Sequence, residues 1–299
     1  MINNTILLEN GGMLEIYLQD DGQLHDFILI FPGGGYTYCE SREGEPIAIS
    51  YLAEGFHAAV VTYMDETDQA SFTWGHIYNR AEEALQLVLS HMKQWNINPD
   101  GIRAAGFSAG GHLALSLAAR CSDDIHAIIL GYPLILVSLC RLIHPSLPDV
   151  LTQLHKHLPP VFLFSTWEDH TVPVRNSLQL LQCLNEHGIP CETHIYQWGH
   201  HGLSLAKEWS SNGDRRNIED RAASWLPLSI TWLRRITDTK GEQLLLPQNC
   251  LRNLWNLPDR RKQLLIRFPY LSDPQILEAL GHLTIDELIK KSIESAHNL

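Results

Sequence analysis

Gly106-Phe107-Ser108-Ala109-Gly110 is a Gly-x-Ser-x-Gly run in which one hydroxyl stands between small residues. A serine so placed can attack an acyl carbon if a base takes its proton, an acid holds that base, and N–H donors receive the developing oxyanion. The chain offers a candidate for each. Phe31-Pro32-Gly33-Gly34-Gly35 presents backbone N–H groups with no Cβ in the way, so Gly34 and Gly35, with the N–H of Ala109, are the expected oxyanion donors. That run lacks the Lys-Ser/Thr of a P-loop and the spacing of a dinucleotide fingerprint. The acid is expected after the apolar run Val161–Thr166, where Asp169 is preferred to Glu168. The base is expected further on, in Trp198-Gly199-His200-His201-Gly202, where two adjacent histidines compete. The order serine, acid, histidine is that of a triad built on a strand-turn-helix elbow. A helix-capping role is the alternative for Ser108.

Those residues need a scaffold that brings distant loops to one place. Short apolar runs begin at Met13, Asp26, His57, Gly101, His126, Pro160 and Cys191, and helical patterns lie between them around 75–95, 110–121, 173–188 and 217–236. This alternation predicts an α/β fold, a mostly parallel sheet flanked by helices. Ser108 falls between a strand pattern and a helix pattern, and each of the other candidates follows a strand. Asp21-Gly22 is a tight-turn signal and predicts that the first strands form a hairpin. Residues 134–159, broken by prolines, are too short for a large cap and suit one wall of a pocket. After Trp232 the pattern changes. Residues 1–238 are expected to form the catalytic domain and 239–299 a polar linker with a small bundle of three or four short helices.

The 299 residues carry a net charge of −12, with no basic stripe, which makes nucleic acid a poor partner. No secretory leader pattern and no bilayer-length apolar run is visible, so a soluble cytoplasmic protein without a membrane partner is expected. The six cysteines lack C-x-x-C pairing and are expected to be reduced, packed as small hydrophobes. Sixteen histidines include no H-E-x-x-H pattern, and no metal or other cofactor is expected.

The segments FPGGGY, SREGEPIA, GFSAGGHLA, WEDHTVPVRNS and GHHGLSLA, in that order, resemble the α/β-hydrolase esterases of the acetyl-xylan esterase and acetylesterase type, related to hormone-sensitive-lipase-like and prolyl-oligopeptidase-like enzymes. The likeness runs from about Asp26 to Trp232. It implies Ser108 as nucleophile, Asp169 as acid, His201 as base, and Gly34, Gly35 and Ala109 as oxyanion donors. Pro32 stands where many relatives carry the His of HGGG, so support for the glycine loop has to come from elsewhere. Arg42 and Glu45 are expected to brace that loop by ion pairing. The implied activity is hydrolysis of short acyl esters, acetyl foremost, on a small-molecule alcohol such as a sugar. A peptidase or amidase, and a silent scaffold binding a partner through its C-terminal helices, are the alternatives, and a homo-oligomer is left open.

Overall fold

The computed structural model describes residues 2–64, 68, 72–238, 251–255, 258–285 and 287–289. Strands β1 (Ile2–Leu7), β2 (Met13–Leu18) and β3 (His25–Phe31) come first, followed by helix α1 (Glu45–Ala53) and β4 (His57–Thr62). Then follow α2 (Trp74–His91), β5 (Ile97–Phe107), α3 (Ala109–Arg120), β6 (Ile128–Gly131), α4 (Val137–Ile143), β7 (Val161–Thr166), α5 (Arg175–Glu186), β8 (Cys191–Tyr196) and α6 (Trp225–Asp238). One eight-stranded sheet has the order β1-β2-β4-β3-β5-β6-β7-β8. From β4 to β8 all neighbours are parallel, while β2 is antiparallel to both β1 and β4.

Strands covered on both faces have to be apolar throughout, and Phe27 to Phe31 are all fully buried. Helix α2 opens with the Thr73 side chain accepting from the His76 N–H and buries Ile77, Ala81, Ala84, Leu85 and Val88 at helical spacing. Helix α3 is buried from Ala109 to Ala119, which its small residues permit by allowing close approach.

The Asp21-Gly22 turn does not close a hairpin. The hairpin is β1–β2, turning through Gly11 and Gly12, and β4 lies between β2 and β3. A turn signal is local, whereas the doubly buried Ile28-Leu29-Ile30 run requires a central position in the sheet. The helix expected over 217–236 starts only at Trp225, preceded by single 3-10 turns at 215–217 and 222–224.

The chain divides into two compact units, Met1–Arg234 and Arg235–Leu299. In the second, α7 (Leu251–Trp255), α8 (Pro258–Arg267), a 3-10 turn at Pro269–Ser272 and α9 (Pro274–Leu280) gather around Leu251, Leu264, Phe268, Leu271, Leu283 and Leu288. The expected linker lies largely outside the described residues, and α6 runs through Asp238.

Candidate active site

The parallel register brings four loops to one edge of the sheet. Phe31 of β3 pairs with Gly106 of β5, Phe107 with Gly131 of β6, Gly131 with Phe164 of β7, and Thr166 of β7 with Tyr196 of β8. The glycine run, the serine, Asp169 and the histidine pair therefore all emerge at the carboxyl ends of strands.

Ser108 has φ 52° and ψ −119°, a left-handed backbone that costs a residue with a side chain on the order of 1–3 kcal/mol. The surroundings hold it there. Its N–H donates to the Gly131 carbonyl at 3.0 Å, and its own carbonyl accepts from the N–H groups of Gly111 and Leu134, each at 3.0 Å. A Cβ on Gly110 would lie 2.1 Å from the Phe31 carbonyl oxygen, so the turn is tight enough to exclude any larger residue. The Ser108 side chain does not cap α3.

Instead its Oγ lies 2.8 Å from His201 Nε2. His201 Nδ1 lies 2.6 Å from Asp169 Oδ2. Asp169 is 2% exposed, and its Oδ1 accepts from the N–H groups of Thr171 and Val172 at 2.9 and 2.7 Å. A carboxylate facing Nδ1 fixes the proton on that nitrogen and leaves the Nε2 lone pair to accept from the serine hydroxyl. The three side chains thus form one continuous hydrogen-bonded line.

The competing residues are used otherwise. Glu168 Oε2 accepts from the Gly199 N–H at 3.2 Å, and His200 Nδ1 donates to the His201 carbonyl at 2.6 Å. Gly34, Gly35 and Ala109 line a cavity of about 430 Å3 together with Ser108 and His201. Among the described residues, no hydrogen bond engages the N–H groups of Gly34, Gly35 or Ala109. Leu134, Leu139, Ile143 and Val172 give the cavity apolar walls, the first three from the proline-broken segment. Among the described residues no group of three or more His, Cys, Asp or Glu side chains gathers as a metal site.

The brace of the glycine loop differs from expectation. Glu45 is exposed at the first turn of α1, and Arg42 pairs through Nε with Glu40 at 3.4 Å. The carboxylate that reaches the loop is Glu43, 2% exposed, whose Oε2 accepts from the Gly33 N–H at 2.7 Å and whose Oε1 accepts from the Tyr132 hydroxyl at 2.6 Å. Burial raises the Glu43 pKa, opposed by those two donors. Tyr36, at the far end of the loop, donates its hydroxyl to His112 Nδ1 at 2.7 Å, and His112 Nε2 donates to the Pro148 carbonyl at 3.1 Å. Burial pulls the His112 imidazole down to about 4, consistent with a neutral ring that accepts on one side and donates on the other. No local sequence signal singles out Glu43, Tyr132 or Tyr36, because their partners are distant along the chain.

Residues 14–128 match the BD-FAE family. Among solved structures, the chain is similar to MGS-M1, an alpha/beta hydrolase enzyme from a Medee basin deep-sea metagenome library. The two are 36% identical with a TM-score of 0.70, over 79% of this chain and 98% of that one. It is also similar to the acetyl ester-xyloside bifunctional hydrolase from Caldicellulosiruptor lactoaceticus, at 30% identity and a TM-score of 0.64, over 76% and 89% of the two chains. The acetylxylan esterase of Xylanibacter ruminicola is 28% identical over 69% of this chain and 49% of its own length. The chain spans 34% and 49% of the lengths of two curated relatives it matches.

Proposed function

This chain belongs to the α/β-hydrolase family, and on that premise we propose that it is a serine carboxylesterase removing short acyl groups, acetyl foremost, from small esters. The observation that carries the reading is the unbroken Asp169–His201–Ser108 line, 2.6 and 2.8 Å per link, opening on a cavity. His201 takes the hydroxyl proton on Nε2 as Ser108 Oγ attacks the acyl carbon, and Asp169 stabilises the imidazolium. The oxyanion is held by the free N–H groups of Gly34, Gly35 and Ala109, each such donor contributing about 3 kcal/mol to the transition state. Collapse expels the alcohol, which takes the proton back from Nε2. Water then attacks the acyl-enzyme with His201 again as base, releasing the carboxylic acid and free Ser108.

A cavity of about 430 Å3 with apolar walls suits a small acyl group rather than a long lipid chain. Relatives named as an acetylxylan esterase and an acetyl ester-xyloside hydrolase favour a sugar as the alcohol. Among the described residues no cysteine takes part in a disulfide, which fits the proposed cytoplasmic setting. The test is Ser108→Ala. Turnover of p-nitrophenyl acetate should fall by about 10⁴-fold or more, with the melting temperature retained. Retained turnover, or preferential cleavage of aminoacyl anilides by the unaltered enzyme, would overturn the reading.

A further inference from the structure

We infer that Glu43, Tyr132 and Ser204 form a buried strut that sets the spacing between the glycine loop and the loop carrying His201, and that Glu43 and Tyr132 are positioning residues. The inference rests on the esterase reading for its catalytic consequence. Its geometry stands by itself.

The need for a strut follows from the sheet order. The glycine loop leaves β3 and the histidine loop leaves β8, and β5, β6 and β7 separate those strands. At about 4.8 Å per step, the two strands are about 19 Å apart, and no ladder hydrogen bond links them directly. Yet the base has to meet Ser108 Oγ while the oxyanion donors meet the carbonyl oxygen of the acyl group that Oγ attacks, so the two loops have to be held in fixed relation to one another.

Tyr132 directly follows β6, the middle strand of that span. Its hydroxyl donates to Glu43 Oε1 at 2.6 Å and accepts from the Ser204 N–H at 2.9 Å. Glu43 Oε2 takes the Gly33 N–H at 2.7 Å. The path from Gly33 to Ser204 is therefore continuous, and the Ser204 hydroxyl donates to the Arg42 carbonyl to close a ring back to Glu43. Gly33 is wedged between Glu43 and the nucleophile: a Cβ there would lie 2.6 Å from Glu43 Oε2 and 2.9 Å from Ser108 Cβ. Binding the Gly33 N–H to Glu43 orients the peptide that leads into Gly34 and Gly35. At the other end, the Tyr132 ring packs edge-on to the His201 imidazole, with centroids 5.1 Å apart and planes at 69°.

The fold accepts strain to build this arrangement. Tyr132 has φ 37° and Ser204 φ 53°, both in the left-handed region without being glycine, and a carboxylate is kept out of water. Strain and a buried acid at one place are a poor solution for packing alone, and they fit a requirement for geometry.

Three variants test the inference: Tyr132→Phe, Glu43→Ala and Glu43→Gln. Turnover of p-nitrophenyl acetate is measured per site labelled by a fluorophosphonate, and amide hydrogen exchange is followed in peptides covering 33–38 and 199–205. Tyr132→Phe should lower kcat per labelled site about 10- to 100-fold, the cost of misplacement by a fraction of an ångström to one ångström, with KM within about threefold. Exchange should rise in both peptides together. Glu43→Gln keeps an acceptor for Gly33 and a polar group against Tyr132, so it should recover kcat to within about tenfold of the unaltered enzyme, which Glu43→Ala should not. Unchanged kcat per labelled site in Tyr132→Phe, or exchange rising in one peptide only, would overturn the strut. If the unaltered protein neither labels nor hydrolyses the ester, the esterase reading falls, and the paired exchange result still decides the strut.

Discussion

Both carboxylate oxygens of Asp169 are occupied, one by His201 Nδ1 and the other by the N–H groups of Thr171 and Val172. An asparagine there would still fit, but its amide nitrogen facing Nδ1 would favour the tautomer that carries the proton on Nε2, and Ser108 would then face a donor instead of a base. Asp169→Asn should therefore lower kcat about 10⁴-fold while leaving the circular dichroism spectrum and melting temperature nearly unchanged. Glu168, one residue away, is bonded to the Gly199 backbone, so it cannot take over, and Glu168→Gln should change kcat less than tenfold. Steady-state kinetics on the two variants separates the roles of these adjacent acids.

At the scale of elements, the elbow depends on α3 starting almost in contact with the end of β3. Gly110→Ala would put a methyl carbon 2.1 Å from the Phe31 carbonyl oxygen and 2.3 Å from that of Pro32, both backbone atoms that cannot swing aside. The substitution should cost on the order of 3 kcal/mol or more, read as a lower urea midpoint, and should reduce turnover because the glycine loop leaves from the same two residues. This elbow was legible in the sequence because strand pattern, small residues and helix pattern are consecutive. Strands β3, β4, β6 and β7 were legible for a related reason: their faces are covered, so their sequences are largely apolar runs. β1, with Asn3, Asn4 and Thr5 exposed at the sheet edge, carries no such pattern. The false hairpin at Asp21-Gly22 and the misplaced brace at Glu45 share a cause. The true partners lie elsewhere in the chain, β4 beyond Gly55 and Tyr132 eighty-nine positions after Glu43, and local patterns carry no information about pairing at that range.

For the whole molecule, stability should depend on pH through His112. Its folded value of about 4 lies below the ordinary 6.5, so between those limits the unfolded chain binds a proton that the folded one does not. Stability contributed by this group is complete above about pH 6.5 and is lost as pH falls toward 4, by about 2 kcal/mol between pH 7 and pH 5. Urea titrations at both pH values should show this loss, and His112→Asn should reduce it. The two compact units carry separate apolar clusters, and every residue of the candidate site precedes Leu205. A chain ending at Asp238 should accordingly keep its kcat on p-nitrophenyl acetate, measured alongside the full chain. The position of β3 also has a consequence for synthesis. Its neighbours in the sheet are β4 and β5, both later in the chain, so a nascent polypeptide cannot seat β3 until residue 107 has left the ribosomal tunnel. Neither the glycine loop nor Ser108 can be ordered before that point, and both wait further for Gly131, Tyr132 and Ser204, which hold them in the folded chain.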